Sequence, residues 1–465
     1  MRKKVLIIAY HFPPLGGGGV YRTLKFAKYL PLFGWEPIIL TVSNPDHPIW
    51  DHSLLKEIPS DIQVFRAPAL EFSRWEKKFS NLFKRVTKLK KEAKENEFNL
   101  VEDTNLSEPK LKNLLKRIYV FLTSWLKIPD DKVGWVPFAL LEGLSLIKSK
   151  KVDLIYVTSP PHSSQLLGLL LSKLSGKPWV VDFRDEWVEY KQIIGGYSSS
   201  RLKFERKLVN KIFTNASFII AITEFQKQTH QKNYPQAKRI EVIYNGYDAQ
   251  DMNKARQRED KWLDGKFHIC HCGYFYPNTA FPFFEVLKDF FNENPDLKGK
   301  IQVDLVGYLE KEYEDWIIQN QLGEIIKSWG YREHESAINF LLKSHLLLHL
   351  IGANGDFWKG VVTGKLFEYL ASGKPILSLA PPNGEVEMII NQAKSGWVFN
   401  PQDHQGIKDK LKEVYQLHAQ GKLYLENNWS FIQNFERKKL VEKLSEVFNK
   451  CLKNISQTVD HTDNK

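Results

Sequence analysis

The sequence predicts an α/β protein made of two doubly wound domains in series. Short apolar strands alternate with amphipathic helical segments along most of the chain, which is the pattern of a parallel sheet covered by helices on both faces. A charged run from Asp251 to Lys261 interrupts the alternation, which then restarts. At 465 residues the chain also exceeds what one hydrophobic core fills. A hydrophobic content of 43% with 13 tryptophans argues for packed globular structure and against disorder.

The first unit opens with an apolar strand over Val5–Ala9, a Pro/Gly loop over His11–Val20, a helix over Tyr21–Leu32 and a strand over Pro37–Thr41. The loop holds four consecutive glycines, Gly16, Gly17, Gly18 and Gly19, where such βαβ units bind ligands. This is not the dinucleotide fingerprint. The glycines are unspaced, and the second strand ends in Thr41-Val42-Ser43 without the acid that holds a ribose of NAD. Consecutive glycines let a backbone approach a phosphate or sugar closely, although a tight loop uses them too.

Between Phe72 and Leu126 the composition changes. Trp75, Phe79, Leu82, Phe83, Val86 and Leu89 recur at helical spacing among lysines and arginines, and Leu111, Leu114, Leu115, Ile118, Leu122 and Trp125 form a second such stripe. Basic amphipathic helices with aromatic anchors suit an anionic membrane surface; two helices capping their own domain would read the same way.

Strands then follow over Asp153–Thr158, ending in Ser159-Pro-Pro-His162, and over Trp179–Phe183, ending in Arg184-Asp185-Glu186-Trp187. In open parallel sheets ligands bind beyond the carboxyl ends of strands, which is where His162, Asp182, Arg184 and Asp185 fall. Either carboxylate offers a base. The structural alternatives are a turn histidine and a simple Arg184–Asp185 ion pair. Strands over Phe218–Thr223 and Ile240–Tyr244 lead to the turn Asn245-Gly-Tyr-Asp248.

The second unit alternates strand Phe267–Gly273, helix Phe281–Asn292, strand Ile301–Gly307, helix Lys311–Asn320, strand Ile325–Trp329, helix Glu335–Leu342 and strand Leu346–Leu350. In Cys270-His271-Cys272 strand alternation sends the histidine away from both cysteines, so a structural reading outweighs a metal site. The stretch Thr363–Pro375 reads as a short helix, with Thr363 and Gly364 at its entrance, Leu366, Phe367 and Leu370 as its apolar stripe and Gly373 as its stop. Lys365 sits in the first turn, at the positive end of the helix dipole. A cation there is unfavourable unless an anion such as phosphate lies between it and the free N–H groups, or unless the lysine simply faces water. A final amphipathic helix runs from Phe431 to Cys451.

No apolar run is long enough to cross a bilayer, and Met1-Arg-Lys-Lys leads into a short strand without a cleavage site, so the expected compartment is the cytoplasm. The three cysteines make no disulfide framework, which agrees with a reducing compartment. The net charge of +12 calls for an anionic partner. Nucleic acid fits poorly, because the basic residues lie on amphipathic helices and not on an aromatic sheet platform.

In order along the chain, His11-Phe-Pro-Pro with the glycine loop, Ser159-Pro-Pro-His162, Asp182-Phe-Arg-Asp-Glu-Trp187, Asn245-Gly-Tyr-Asp248, Trp329-Gly-Tyr331 and Gly364-Lys-Leu-Phe-Glu-Tyr-Leu-Ala-Ser-Gly-Lys-Pro375 resemble glycosyltransferase family 4. The resemblance covers nearly the whole chain. It implies the GT-B fold, two Rossmann-like domains facing a cleft, with the acceptor mainly on the first and a nucleotide-sugar on the second. By position, it places Lys365 on the donor diphosphate, Glu368 on the ribose, and Tyr331 and Arg332 near the base. Thr363, Gly364 and Gly273 fall beside the donor, and Gly16–Gly19 approach its phosphate and sugar. Asp185, His162 and Arg184 are the catalytic candidates, Asp185 foremost for contact with acceptor or sugar. The reaction implied retains anomeric configuration. The leaving diphosphate can be met by Lys365, helix N–H groups and Arg184, so neither a metal nor another cofactor is required. The sequence departs from the family in two ways. Gly360 stands where the first acid of a Glu-x7-Glu pair ending at Glu368 is expected, leaving that sugar contact absent or moved to Asp356, and the loop Gly273–Ala280 lacks the expected basic residue.

The organisation that follows is an acceptor-side domain over 1–245 with a basic helical insertion at about 72–126, a linker over 246–264 and a donor domain over 265–428. A terminal helix over 429–455 then returns to the first domain, ahead of a tail over 456–465. The expected activity is sugar transfer from a nucleotide-sugar to a glycan or lipid-linked acceptor in surface polysaccharide assembly, at the inner face of the cell membrane. A nucleotide-sugar epimerase shares the architecture and is the alternative, with a basic nucleic-acid binder behind it.

Overall fold

A computed structural model describes residues 2–70, 125–237, 239–258, 260–275, 279–352 and 355–460. Most of the basic segment at about 72–126 lies outside the described residues. Two all-parallel sheets organise the molecule. The first contains β1 (Lys3–Ile8), β2 (Trp35–Val42), β3 (Gln63–Ala67), β4 (Leu154–Ser159), β5 (Trp179–Phe183), β6 (Phe218–Ala221) and β7 (Ile240–Val242), in the order β3-β2-β1-β4-β5-β6-β7. The second contains β8 (Phe267–Cys272), β9 (Ile301–Val306), β10 (Ile326–Gly330), β11 (Leu346–Leu350), β12 (Ile376–Leu379) and β13 (Gly396–Phe399), in the order β10-β9-β8-β11-β12-β13. Each order reverses once, between β1 and β4 and between β8 and β11, and such switch points open a crevice at the carboxyl ends of the strands. The central strands are buried on both faces, which is why Val5–Ile8 reads as an unbroken apolar run and Leu346–Leu350 as one interrupted only by His349.

Two clusters of apolar side chains cover the faces of each sheet. The last helix, Arg437–Asp460, belongs to one of the first sheet's faces. Its Leu440, Leu444, Val447 and Phe448 pack with Val5, Ile7 and Trp35, and the Phe448 and Trp35 rings meet at 5.1 Å. Each of these buried side chains is worth about 1.5–3 kcal/mol, enough together to fix the returning helix in place. The two chain crossings between the domains are tied to each other. Tyr247 N–H donates to Phe435 O at 3.0 Å and Arg437 N–H to Tyr247 O at 2.8 Å. Gly246 makes this possible, because at φ +69° a Cβ there would lie 2.3 Å from Phe435 O.

Several expected boundaries shift. The first helix is Gly18–Tyr29, so the last two glycines of the loop form its first turn. The stretch expected as a linker contains a helix, Ala249–Arg256, because Asp248 caps its Gln250 N–H and Met252 and Ala255 are buried against the second domain. The terminal helix is broken at Glu436 and begins anew at Arg437.

Candidate active site

The helix Gly364–Ser372 begins at the switch point of the second sheet. Thr363 is its N-cap residue, but the Thr363 hydroxyl pairs with His349 Nε2 at 3.1 Å and not with a helix N–H. No side chain therefore caps this helix, and its first N–H groups remain directed at the cleft. Lys365 Nζ lies 3.1 Å from His271 Nε2 and 3.1 Å from Tyr274 O. His271 Nδ1 is 2.9 Å from Leu348 O, so the proton belongs on Nδ1 and Nε2 accepts from the lysine. Burial pulls the Lys365 ammonium down to about 8, against the opposing pull of Cys272 and Glu368. Burial, and then the charge of Lys365, pushes His271 well below its ordinary value, so the ring is neutral. The lysine thus rests on neutral acceptors, with no carboxylate bonded to its nitrogen among the described residues, which leaves its charge for a ligand.

Gly273 is needed where the lysine crosses it. Its φ is +124°, and a Cβ would fall 2.9 Å from Lys365 Cε. One turn along the helix, Glu368 Oε1 accepts from His334 Nε2 at 2.8 Å. Burial alone would raise the Glu368 carboxyl, but the His334 charge and hydrogen bond hold it below the usual range.

The first domain faces this helix with its glycine loop. Gly17 has φ +92°, and a Cβ on Gly16 would meet Ile49 Cγ2 at 2.7 Å and the Tyr331 hydroxyl at 3.1 Å. Tyr331, from the loop after β10, donates to Asp51 Oδ2 at 3.2 Å, so the loop and the second domain touch across the cleft. Arg332 is exposed beside it. Arg184 directs its guanidinium onto backbone carbonyls: Gly19 O at 2.6 Å, Ser159 O at 3.1 Å and Pro160 O at 3.3 Å. It fixes the glycine loop to the end of β4, and no ion pair joins it to Asp185 among the described residues. Asp185 is open to the cleft. Protein crowding raises its carboxyl above the ordinary range, with Arg184 opposing. His162 stacks on Trp187 at 4.9 Å with 11° between planes, and burial lowers it to about 3. Its Nδ1 is buried without a hydrogen-bond partner.

Asp182 does not join this group. It is fully buried and accepts two bonds from Arg22, at 2.9 and 3.0 Å, together with Tyr156 OH at 2.6 Å and Thr158 Oγ1 at 3.1 Å. The expectation that either carboxylate offers a base is corrected: only Asp185 has a free carboxylate. At Gly360, where an acid was expected, the space is filled from the first domain, since a Cβ would lie 2.3 Å from Phe225 Cδ1. Asp356 pairs with Lys359 at 2.8 Å and is largely in solvent. Sequence reasoning read His271 as structural only and missed His349 and His334, whose only signal was histidine at the carboxyl end of a buried strand or at a helix start.

Two facing switch points, an uncapped helix with an unneutralised lysine, and a glycine loop opposite are the arrangement of a GT-B glycosyltransferase. A model of Glycosyltransferase Family 4 matches residues 105–251. An uncharacterised glycosyltransferase of Methanocaldococcus jannaschii is 25% identical over 307 residues, covering 64% of this chain and 76% of that protein. Among solved structures, sucrose-phosphate synthase from Thermosynechococcus elongatus superposes with a TM-score of 0.64 at 13% identity, covering 97% of this chain and 99% of that one. The Anabaena protein HepE, solved in complex with UDP and glucose, does so with a TM-score of 0.51 at 15% identity, covering 99% and 100%. These matches support a glycosyltransferase similar to family 4, whose model covers about a third of the chain. Among the described residues no helix is long and apolar enough to cross a membrane.

Proposed function

We propose that the protein transfers a sugar, with retention of configuration, from a nucleotide-sugar to a glycan or lipid-linked acceptor in surface polysaccharide assembly. The observation that carries the donor half is Lys365, half-buried at the uncapped N-terminus of Gly364–Ser372 with its charge unmatched by any bonded carboxylate among the described residues. A nucleoside diphosphate supplies the missing anion. As the glycosidic bond breaks, negative charge grows on the diphosphate, and Lys365 with the helix N–H groups meets it where it develops. That charge is the work a divalent ion would otherwise do, so the reaction needs none. Glu368 takes the ribose, and Tyr331 and Arg332 flank the base. Gly16–Gly19 bring backbone close to the phosphate and sugar, and Arg184 holds that loop in place. Asp185 and His162 face the acceptor and the transferred sugar. HepE, of the same fold, was solved with UDP and glucose, which supports a nucleotide-sugar donor here.

The membrane half rests on exposed Leu126, Ile193, Ile194 and Phe204 of the first domain, interspersed with exposed Lys203, Arg206 and Lys207. The donor reading is tested by thermal shifts against UDP, GDP, TDP and ADP and their sugars, since a ligand bound only by the native state raises its apparent stability. One nucleotide class should stabilise the protein in the presence of EDTA, and no shift with any of them refutes the donor site. Conversion of a donor sugar with no acceptor present would favour an epimerase instead. Failure to sediment with anionic liposomes at low salt would remove the membrane half.

A further inference from the structure

His334 is the first residue of the helix His334–Lys343, and its surroundings specify every side of its ring. Nε2 lies 2.8 Å from Glu368 Oε1, and Nδ1 faces Asp251 Oδ2 at 3.7 Å. Tyr21, from the first helix of the other domain, covers its face with ring centroids 4.3 Å apart. Asp251 is itself anchored across the domains, because Lys25 Nζ bonds it at 2.6 Å while also holding Asp248 at 2.8 Å and Glu57 at 2.6 Å. Lys25 is 1% exposed, so the cation at the centre of this cluster is buried and its geometry is narrow. Glu368 makes no second hydrogen bond among the described residues, so Oε2 remains an open acceptor.

A carboxylate on a helix has freely turning terminal bonds unless one oxygen is tethered. With Oε1 held by His334, rotation is stopped and Oε2 is directed outward as a charged acceptor. We propose that His334 is a positioning residue that aims Glu368 at a ribose hydroxyl of the donor nucleotide, and that the first domain sets this aim through Tyr21 and the Lys25–Asp251 pair. The proposal rests on the donor reading above, in which Glu368 contacts the ribose. It adds that recognition of the ribose depends on the domains being in contact. Burial lowers the histidine, but Glu368 and Asp251 raise it beyond its ordinary value, which favours a donor hydrogen on each nitrogen.

The test compares UDP, GDP and ADP with their 2′-deoxy and 3′-deoxy counterparts by titration calorimetry, in the wild type and in His334→Ala, His334→Gln, Tyr21→Leu and Glu368→Gln. A hydrogen bond to a charged group makes the wild type prefer the ribonucleotide that binds it over one of its deoxy forms by about tenfold or more. In His334→Ala this ratio falls toward one while the diphosphate still binds. His334→Gln, which can still donate to Oε1, restores most of the ratio, and Tyr21→Leu gives an intermediate value. An unchanged ratio in His334→Ala overturns the positioning role. An unchanged ratio in Glu368→Gln overturns the ribose contact itself and the inference with it. Absence of binding by all the parent nucleotides overturns the donor reading as well.

Discussion

Raising the pH from 7 to 9 should weaken nucleoside diphosphate binding chiefly through Lys365. Burial holds its ammonium at about 8 in the free protein. On that value the lysine is about nine-tenths charged at pH 7 and about one-tenth charged at pH 9. The diphosphate binds the charged form, and a bound dianion keeps the proton on to higher pH, so affinity is present below the free value and is lost as the pH rises through it. The loss expected is about tenfold, or about 1.4 kcal/mol. The terminal phosphate of the nucleotide ionises near pH 6 and does not contribute in this window. Calorimetry at pH 7, 8 and 9, in buffers of differing ionisation enthalpy, reads both the affinity and the proton taken up on binding. Lys365→Met should bind weakly and without this slope, and Lys365→Arg should also be flat because a guanidinium stays charged. A wild-type affinity constant within twofold from pH 7 to 9, or the same slope in Lys365→Met, would refute the assignment of the charge to this lysine.

Other changes test the scaffold around it. Asp182→Ala leaves Arg22 buried without its carboxylate partner and should cost about 3–5 kcal/mol of first-domain stability, read as an earlier urea midpoint. Gly307→Ala places a Cβ 2.2 Å from Gly273 O at φ +141°, so it should push the Gly273 loop away from Lys365 and weaken nucleotide binding while secondary structure by circular dichroism persists. Gly360→Glu cannot coexist with Phe225 in its present place and should separate the domains there, visible as a larger radius by small-angle scattering. Paired with Phe225→Ala, it should be tolerated.

The fold was legible because parallel strands buried on both faces leave near-continuous apolar runs. Trp179–Phe183 and Leu346–Leu350 are found where the sequence places them. The edge strand Gln63–Ala67 is only partly buried and mixes Gln63 and Arg66 with apolar residues, so it carries no such run. The helix Ala249–Arg256 was hidden by its charge, since only Met252 and Ala255 face the core while Asp251 serves Lys25. At the site, Lys365, Glu368 and the glycine loop were visible as local patterns. Asp182 was misjudged because its partners Arg22 and Tyr156 are far away in sequence, and a strand-end carboxylate looks the same whether its bonds are satisfied or free. The parts played by the three histidines beneath and beside the helix were invisible for a related reason: each acts through a side chain brought to it by another strand or helix.

The most direct measurement is nucleoside diphosphate release from nucleotide-sugars by the purified protein with membrane lipid extract as acceptor, in the presence of EDTA, for wild type and Lys365→Met. The expected result is sustained release by the wild type from one donor class, dependent on the extract, and a fall of about a hundredfold or more in the variant, the size typical for losing a group that meets developing transition-state charge. Equal rates in both proteins would contradict the placement of the leaving group at this helix.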